Sequence, residues 1–453
     1  MAQIKEGCKM KERILALIEQ GKYADIRKEL IEMNVVDIAQ LFEEIDRQKL
    51  LVIFRILPKD IASDVFAYIP NELQKYIVES ISDKEIKSII DELFLDDTIA
   101  FLEEMPSNIV KKVLKNTDEE TRKLINQFLN YPENSAGSIM TIEFVDLKKE
   151  MTVKEALQHI KETGVDKETI DNCYVIDNNR ILEGVISIRK LILSEDSALI
   201  KDLMQKDAVY INTHDDQEKM ASLFKKYDLL SMPVVDNERR LVGIVTIDDV
   251  IDVIEQANTE DIQKMAAMQP SEEKYLKTNA LVLAKHRIIW LLILMISATF
   301  TGKIIRKFDD VLQTVVVLAS FIPMIMDTGG NSGSQSSALV IRGLALGEIR
   351  LKDAFRVLWK EIQVGCLVGL ALSTVNFLRI YFLEKTDFMV SLTVSITLLL
   401  TVILAKIVGG ILPILAKKCK LDPAIMAGPL ITTVVDAVAL TIYFSTAVWL
   451  LGI

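Results

Sequence analysis

Five apolar stretches limit what this chain can fold into. They fall at roughly 288–305, 311–340, 362–382, 388–416 and 424–451. Several exceed the ~20 residues that carry a helix across a bilayer. In hydrocarbon every backbone N–H and C=O must be paired within the protein, so such stretches predict transmembrane helices. The second is interrupted by Pro323-Met-Ile-Met-Asp327-Thr-Gly-Gly-Asn331-Ser-Gly333-Ser-Gln335. Polar, broken backbone at membrane depth is tolerated only where it is buried in protein or lines water. Asp327, Gly329, Gly330, Asn331, Gly333 and Gln335 are therefore expected to wall a polar path.

A second anomaly opens the last stretch. It reads Asp422-Pro-Ala-Ile-Met-Ala-Gly428-Pro-Leu-Ile-Thr432-Thr433-Val-Val-Asp436. A carboxylate well inside a span costs about 2.5–3.5 kcal/mol on insertion scales and defaults to a functional site. Thr432 lies one turn before Asp436 on the same helical face. Gly428 and Pro429 are expected to free backbone carbonyls near the cytosolic end. Carboxylate, amide and carbonyl oxygens without thiolate or imidazole suit a hard cation. Mg²⁺ sheds its waters reluctantly, so one or two carboxylates hold it through its hydration shell. Lys406, in the fourth stretch, either snorkels or pairs with an acid.

The rest of the chain is different in kind. Residues 1–280 are rich in Glu, Asp and Lys, and the formal net charge of −11 resides mainly there. An acidic balance argues against a nucleic-acid partner, whose phosphates need a basic face. Cys8, Cys173, Cys366 and Cys419 are far apart and read as reduced packing residues. The scattered His159, His214 and His286 argue against a zinc site. The charged N-terminal residues predict no signal peptide and a cytosolic N-terminal part. Cytosolic segments would carry Lys285, Arg287, Arg342, Arg350, Lys352, Arg356, Lys360, Lys417, Lys418 and Lys420, against Lys303, Arg306, Lys307, Arg379 and Lys385 outside. That bias orients the five spans with the N-terminus in the cytosol and Ile453 outside.

Up to about residue 130 the apolar spacing is helical. A loose motif recurs at Asp37, Asp60 and Asp97, each suited to N-capping. The unequal spacings predict an irregular helical array rather than a strict solenoid. From 137 to 257 a strand–helix–strand–strand–helix pattern occurs twice. Asp177 and Asp236, and Gly184 and Gly243, are both 59 residues apart. The first copy is a few residues longer around Gly164 to Thr169. This segment resembles a tandem cystathionine-β-synthase (CBS) pair. The resemblance implies an adenine-nucleotide site with Thr246 on phosphate and Asp249 on ribose. Ser187 is followed by Lys190 rather than Asp, so one site at most is expected. Beyond it an acidic connector carries Asp248, Asp252 and Glu255 on one helical face.

Taken together, the helical N-terminal array, the CBS pair, the acidic connector, the five spans and the two membrane motifs resemble an MgtE-type magnesium channel. The expected fold is multidomain: an all-α array at 1–132, α/β CBS modules at 133–199 and 200–257, a connecting helix at 258–284 and an α-helical polytopic pore domain at 285–453. The resemblance implies a homodimer in the cell membrane, with Mg²⁺ as both substrate and regulator. A hydrated Mg²⁺ would sit near Asp436, Thr432 and Gly428, with Asp422 in the pore motif. Cytosolic Mg²⁺ would shut the pore through Asp96, Asp216, Glu218, Asp228, Asp249, Asp252, Glu260 and Asp261. ATP at the CBS pair is the further ligand implied. Ala257 and Gly428 depart from the acid and Asn that some members carry. The rival readings are a broader Mn²⁺, Co²⁺ or Ni²⁺ transporter and a membrane-anchored nucleotide sensor. No nucleophile–base constellation or phosphate-binding loop points to an enzyme.

Overall fold

The computed structural model describes residues 2–271, 275–276 and 278–452. The chain forms two compact units, residues 1–253 and 254–453.

The first unit opens with an array of short helices ending at Glu119–Phe128. It is more regular than the acidic motif suggests. Helices Val35–Glu44, Arg47–Ile56, Lys59–Tyr68 and Asn71–Ser80 are each 10 residues long and end at Ile45, Leu57, Ile69 and Ile81, a period of twelve. All four end residues are extended and buried. Phe42, Phe54 and Phe66 share the period and stack edge-on or tilted, with ring centroids 6.4 and 6.5 Å apart. The repeat therefore lies in the buried ends of the helices, where packing selects an apolar residue every turn of the array. The expected Asp caps are corrected. Asn34, Pro58 and Phe94 hold the N-cap positions, and Asp37, Asp60 and Asp97 fall in the first turn. There they complement the positive end of the helix dipole instead.

The two α/β modules follow the expected order. The first sheet is β1 (Asp146–Leu147), β2 (Asn172–Ile176) and β3 (Leu182–Ser187); the second is β4 (Ile211–Asn212), β5 (Ser231–Val235) and β6 (Leu241–Thr246). In each, the first strand pairs parallel and the last antiparallel to the middle one. Asp177 Oδ1 accepts from the N–H of Asn179 and Ile181, and Asp236 Oδ1 from Glu238 and Arg240, so both turns are tied identically. The paired glycines have one cause. A Cβ on Gly184 would lie 2.8 Å from the Gln205 carbonyl oxygen, and one on Gly243 2.6 Å from that of Thr141. Each module thus presses its last strand onto the segment leading into the other, with Met204 and Met140 alongside.

A helix at Ile247–Met265 starts directly after β6 and continues into the second unit. In that unit, helices Ala280–Lys307 and Phe388–Lys418, together with the helical segments Leu351–Leu383 and Pro423–Leu451, are long and apolar enough to cross a membrane. The expected break in the second stretch is absent. A short helix at Asp309–Thr314 and a 3-10 turn at Val316–Phe321 precede an unbroken helix, Ile322–Ala345, which contains the whole Gly-Asn-Gln segment. Glycine costs helix stability in water, but here close packing with neighbouring helices outweighs it. The unit is held at one end by Tyr443, whose hydroxyl donates to the Leu318 carbonyl at 2.9 Å, and by Phe308 stacked on Phe444. Cys173 is a buried packing residue as expected, whereas Cys366 and Cys419 are exposed in the chain.

Candidate ion path and acidic clusters

The Gly-rich helix Ile322–Ala345 has two unlike faces. Gly329, Gly330, Ser332, Gly333, Ser336 and Ser337 are buried. Asp327, Asn331 and Gln335 are exposed in the chain. Their four-residue spacing puts these three on one stripe. The buried face is shaped for its neighbours. A Cβ on Gly330 would lie 2.8 Å from Thr432 Cγ2, and one on Gly329 2.8 Å from Thr401 Cγ2. Glycine thus brings the helices at 322–345, 388–418 and 428–451 within backbone reach. Asp436 stands half-buried on the terminal helix Gly428–Leu451, with Asp327 as its electrostatic neighbour. Among the described residues neither carboxylate has an ion-pair partner.

The start of the terminal helix differs from expectation. The hydroxyls of Thr432 and Thr433 both donate to the Pro429 carbonyl, at 2.8 and 2.9 Å. That carbonyl is satisfied rather than free. Gly428 has φ +43°, the left-handed region that glycine enters without strain. A Cβ there would lie 2.5 Å from the Met265 carbonyl oxygen, so the end of the 247–265 helix abuts this turn. Asp422 is likewise occupied. It caps the Pro423–Met426 turn through the Ala424 N–H and accepts from Lys264 Nζ at 2.5 Å. Lys264 also pairs with Glu260. Burial, then the nearby Asp422, raises the Asp261 carboxyl above its usual range, while Lys264 and Arg342 oppose the shift.

A second cluster lies in the first unit. It joins Asp96 and Asp97 of the helical array, Glu168 of the first module, and Asp248 and Asp249 at the start of the 247–265 helix. Burial and then mutual repulsion push Asp97 to about 6 and Glu168 to about 7. Asp249 reaches about 7 by burial, although Thr246 Oγ1 donates to it at 2.9 Å. Asp96 is held well above the carboxylate range for the same reasons. Sequence reasoning found Asp96 and Asp249 and placed Asp248 on the acidic connector, but missed Asp97 and Glu168 as cluster members. Glu168 sits in the extra residues of the first module, which was the available signal. Asp216 and Asp228 stand elsewhere. Asp216 caps helix Gln217–Tyr227 through the N–H of Glu218, and Asp228 ends that helix at φ 51°. Asp252 lies one turn beyond Asp248 in the 247–265 helix. Among the described residues no group of three or more His, Cys, Asp or Glu is arranged to hold a metal ion within one chain.

Architecture and site define a multi-pass membrane protein that carries a CBS pair and a helical array in one chain. The comparisons agree. Residues 322–446 match the MgtE divalent cation transporter model, 33–134 the MgtE intracellular N domain, and 136–195 with 200–256 the CBS domain. The magnesium transporter MgtE of Thermus thermophilus is 34% identical over 95% of this chain and 96% of its own length. That of Bacillus subtilis is 34% identical over 96% of both. The cytosolic domain of the Mg²⁺ channel MgtE, solved with ATP, is 33% identical, with TM-score 0.51, over 54% of this chain and 99% of its own. The soluble part of a magnesium transporter is 28% identical, with TM-score 0.53, over 55% and 99%. The chain belongs to the MgtE family.

Proposed function

We propose that this chain is a Mg²⁺ influx channel, formed by two copies of a five-span protomer and shut by cytosolic Mg²⁺. The observation that carries the reading is the exposed stripe Asp327, Asn331, Gln335 beside Asp436. Lipid accepts no such stripe, so it faces water or a second copy. The four long apolar helical segments plus the Gly-rich helix make the five spans, with the N-terminus in the cytosol and the C-terminus outside. Asp436 holds the hydrated ion, with Thr432 and Gly428 at the inner end. Gly329, Gly330 and Gly333 allow the close packing, and Asp422 stands at the mouth. A divalent ion gains about 4.6 kcal/mol per 100 mV of inside-negative potential, twice the single-charge value. No ATP hydrolysis is needed.

Gating rests on the carboxylates. Burial first, and then repulsion between the carboxylates, disfavours ionisation of the cluster around Asp96 and Asp249. A divalent cation relieves that repulsion and favours the compact, closed arrangement by its differential affinity. Asp252, Glu260 and Asp261 extend the acidic run along the connecting helix, and Asp216, Glu218 and Asp228 supply donors on the second CBS module. The domain limits follow the sequence reading: regulatory array 1–132, CBS modules 133–199 and 200–257, connecting segment 258–284 and pore 285–453; the connector is not the single helix expected, because its helix runs Ile247–Met265 and the next begins at Ala280. ATP at Thr246 and Asp249 is supported by the 33% identical relative solved with that nucleotide.

The test is Mg²⁺ flux into proteoliposomes at inside-negative potential and low internal Mg²⁺, for wild type and Asp436→Ala. Wild-type flux lost in the variant supports the pore and its ion site. Equal flux in both makes Asp436 structural. No wild-type flux overturns the channel reading. Flux of Mn²⁺, Co²⁺ or Ni²⁺ as fast as Mg²⁺ replaces it with the broader transporter.

A further inference from the structure

The membrane unit contains a lysine that the ion path does not use. Lys406, in helix Phe388–Lys418, is only 5% exposed. It neither snorkels nor meets an acid directly. Its Nζ donates to Ser336 Oγ at 3.4 Å, and that hydroxyl donates to Glu361 Oε2 at 2.6 Å. The serine hydroxyl is the one group able to do both at once, accepting from the ammonium and donating to the carboxylate. Three helices are thereby joined: 388–418 through Lys406, the Gly-rich helix through Ser336, and Ala354–Leu378 through Glu361.

The backbone is cut to fit this arrangement. A Cβ on Gly410, one turn after Lys406, would lie 2.8 Å from Glu361 Cγ, so the glycine leaves the carboxylate its room. The adjoining Gly409 packs on the carbonyl oxygen of Gly333, one turn before Ser336 on the Gly-rich helix. The opposite face of that helix bears Asp327, Asn331 and Gln335. A rotation of the helix about its axis moves the stripe and the Ser336 hydroxyl together. An ionisable group buried at membrane depth, as Lys406 is, is rare and defaults to a functional role; Glu361 is half-buried at the cytosolic end of its helix.

We propose that Lys406, Ser336 and Glu361 form a charge relay that positions the Gly-rich helix, and with it the polar stripe, for ion conduction. The proposal rests on the ion-path reading above. Lys406, Ser336 and Glu361 are positioning residues; the ion itself is held at Asp436. Removing Glu361 leaves the Lys406 ammonium buried without a counter-charge, and removing Lys406 leaves the half-buried Glu361 with Ser336 alone.

The test uses the full chain in proteoliposomes. Lys406→Met and Glu361→Gln each lower maximal Mg²⁺ flux by about tenfold or more, and the double variant recovers to within about threefold of wild type. Ser336→Thr keeps the flux and Ser336→Ala loses it. Half-saturating Mg²⁺ is unchanged throughout, because Asp436 is intact. Wild-type flux in both single variants overturns the relay. So does a double variant no better than the worse single, the result expected if Glu361 ligated the ion itself. Where a charge variant fails to insert, the Ser336 pair carries the test. If wild type itself shows no flux, the ion-path reading has failed separately. The relay is then read from thermal unfolding in detergent, where the singles lower the midpoint and the double restores it; three equal midpoints overturn it.

Discussion

Replacing Gly333 by alanine tests whether close helix packing, rather than flexibility, is what the glycines supply. A Cβ at Gly333 would lie 2.8 Å from Ile431 Cγ2, 3.2 Å from the Ala405 carbonyl oxygen and 3.3 Å from Val435 Cγ2. Ordinary contact between carbons begins near ~3.5 Å, so the terminal helix must retreat by roughly 0.7 Å. Ile431 is fully buried and cannot swing aside, and the Ala405 oxygen is helix backbone. Overpacking of this kind costs about 1–3 kcal/mol. The gain in helix propensity returns about 1 kcal/mol, leaving a net loss of up to ~2 kcal/mol. Gly302, in the Ala280–Lys307 helix, has nothing within 4 Å and serves as the control. There alanine keeps only the propensity gain, so the two variants separate by about 1–3 kcal/mol. Equilibrium unfolding of the purified protein in mixed SDS micelles reads the difference. A Gly333→Ala protein as stable as Gly302→Ala refutes the packing argument.

Two further outcomes follow from the acidic clusters. Asp97, Glu168 and Asp249 hold protons to about pH 6, 7 and 7, above their unfolded values, so the folded state binds more protons between about pH 4 and 7. Stability of residues 1–253 expressed alone therefore falls as pH rises through that window. Asp249→Asn flattens the slope, and Mg²⁺ raises the midpoint more at pH 8 than at pH 5; melting curves that rise with pH contradict this. At the other cluster, Lys264→Ala removes the ion pairs to Asp422 and Glu260 that tether the end of the connecting helix. Flux at millimolar internal Mg²⁺ then rises above wild type, and flux unchanged from wild type shows that the tether has no part in closure.

Much of this protein is legible in its sequence. Lipid forces apolar stretches into helices, so the membrane unit followed from hydropathy, and the 59-residue spacings revealed the duplicated module. Those spacings survive because each glycine must admit the other module's backbone. The twelve-residue period of the helical array was equally present in Ile45, Leu57, Ile69 and Ile81. It is less conspicuous than the acidic motif because it lies in the buried ends of the helices. Tertiary structure alone decided the rest. Helix propensity favoured a break at Asp327-Thr-Gly-Gly, but packing against Thr432 and Ile431 keeps that segment helical. Glu168, Asp97 and Asp248 are distant in sequence and become one electrostatic group only where two domains meet. Lys406, Ser336 and Glu361 sit on three helices, and their shared hydroxyl exists only once Gly409 and Gly410 have let those helices close.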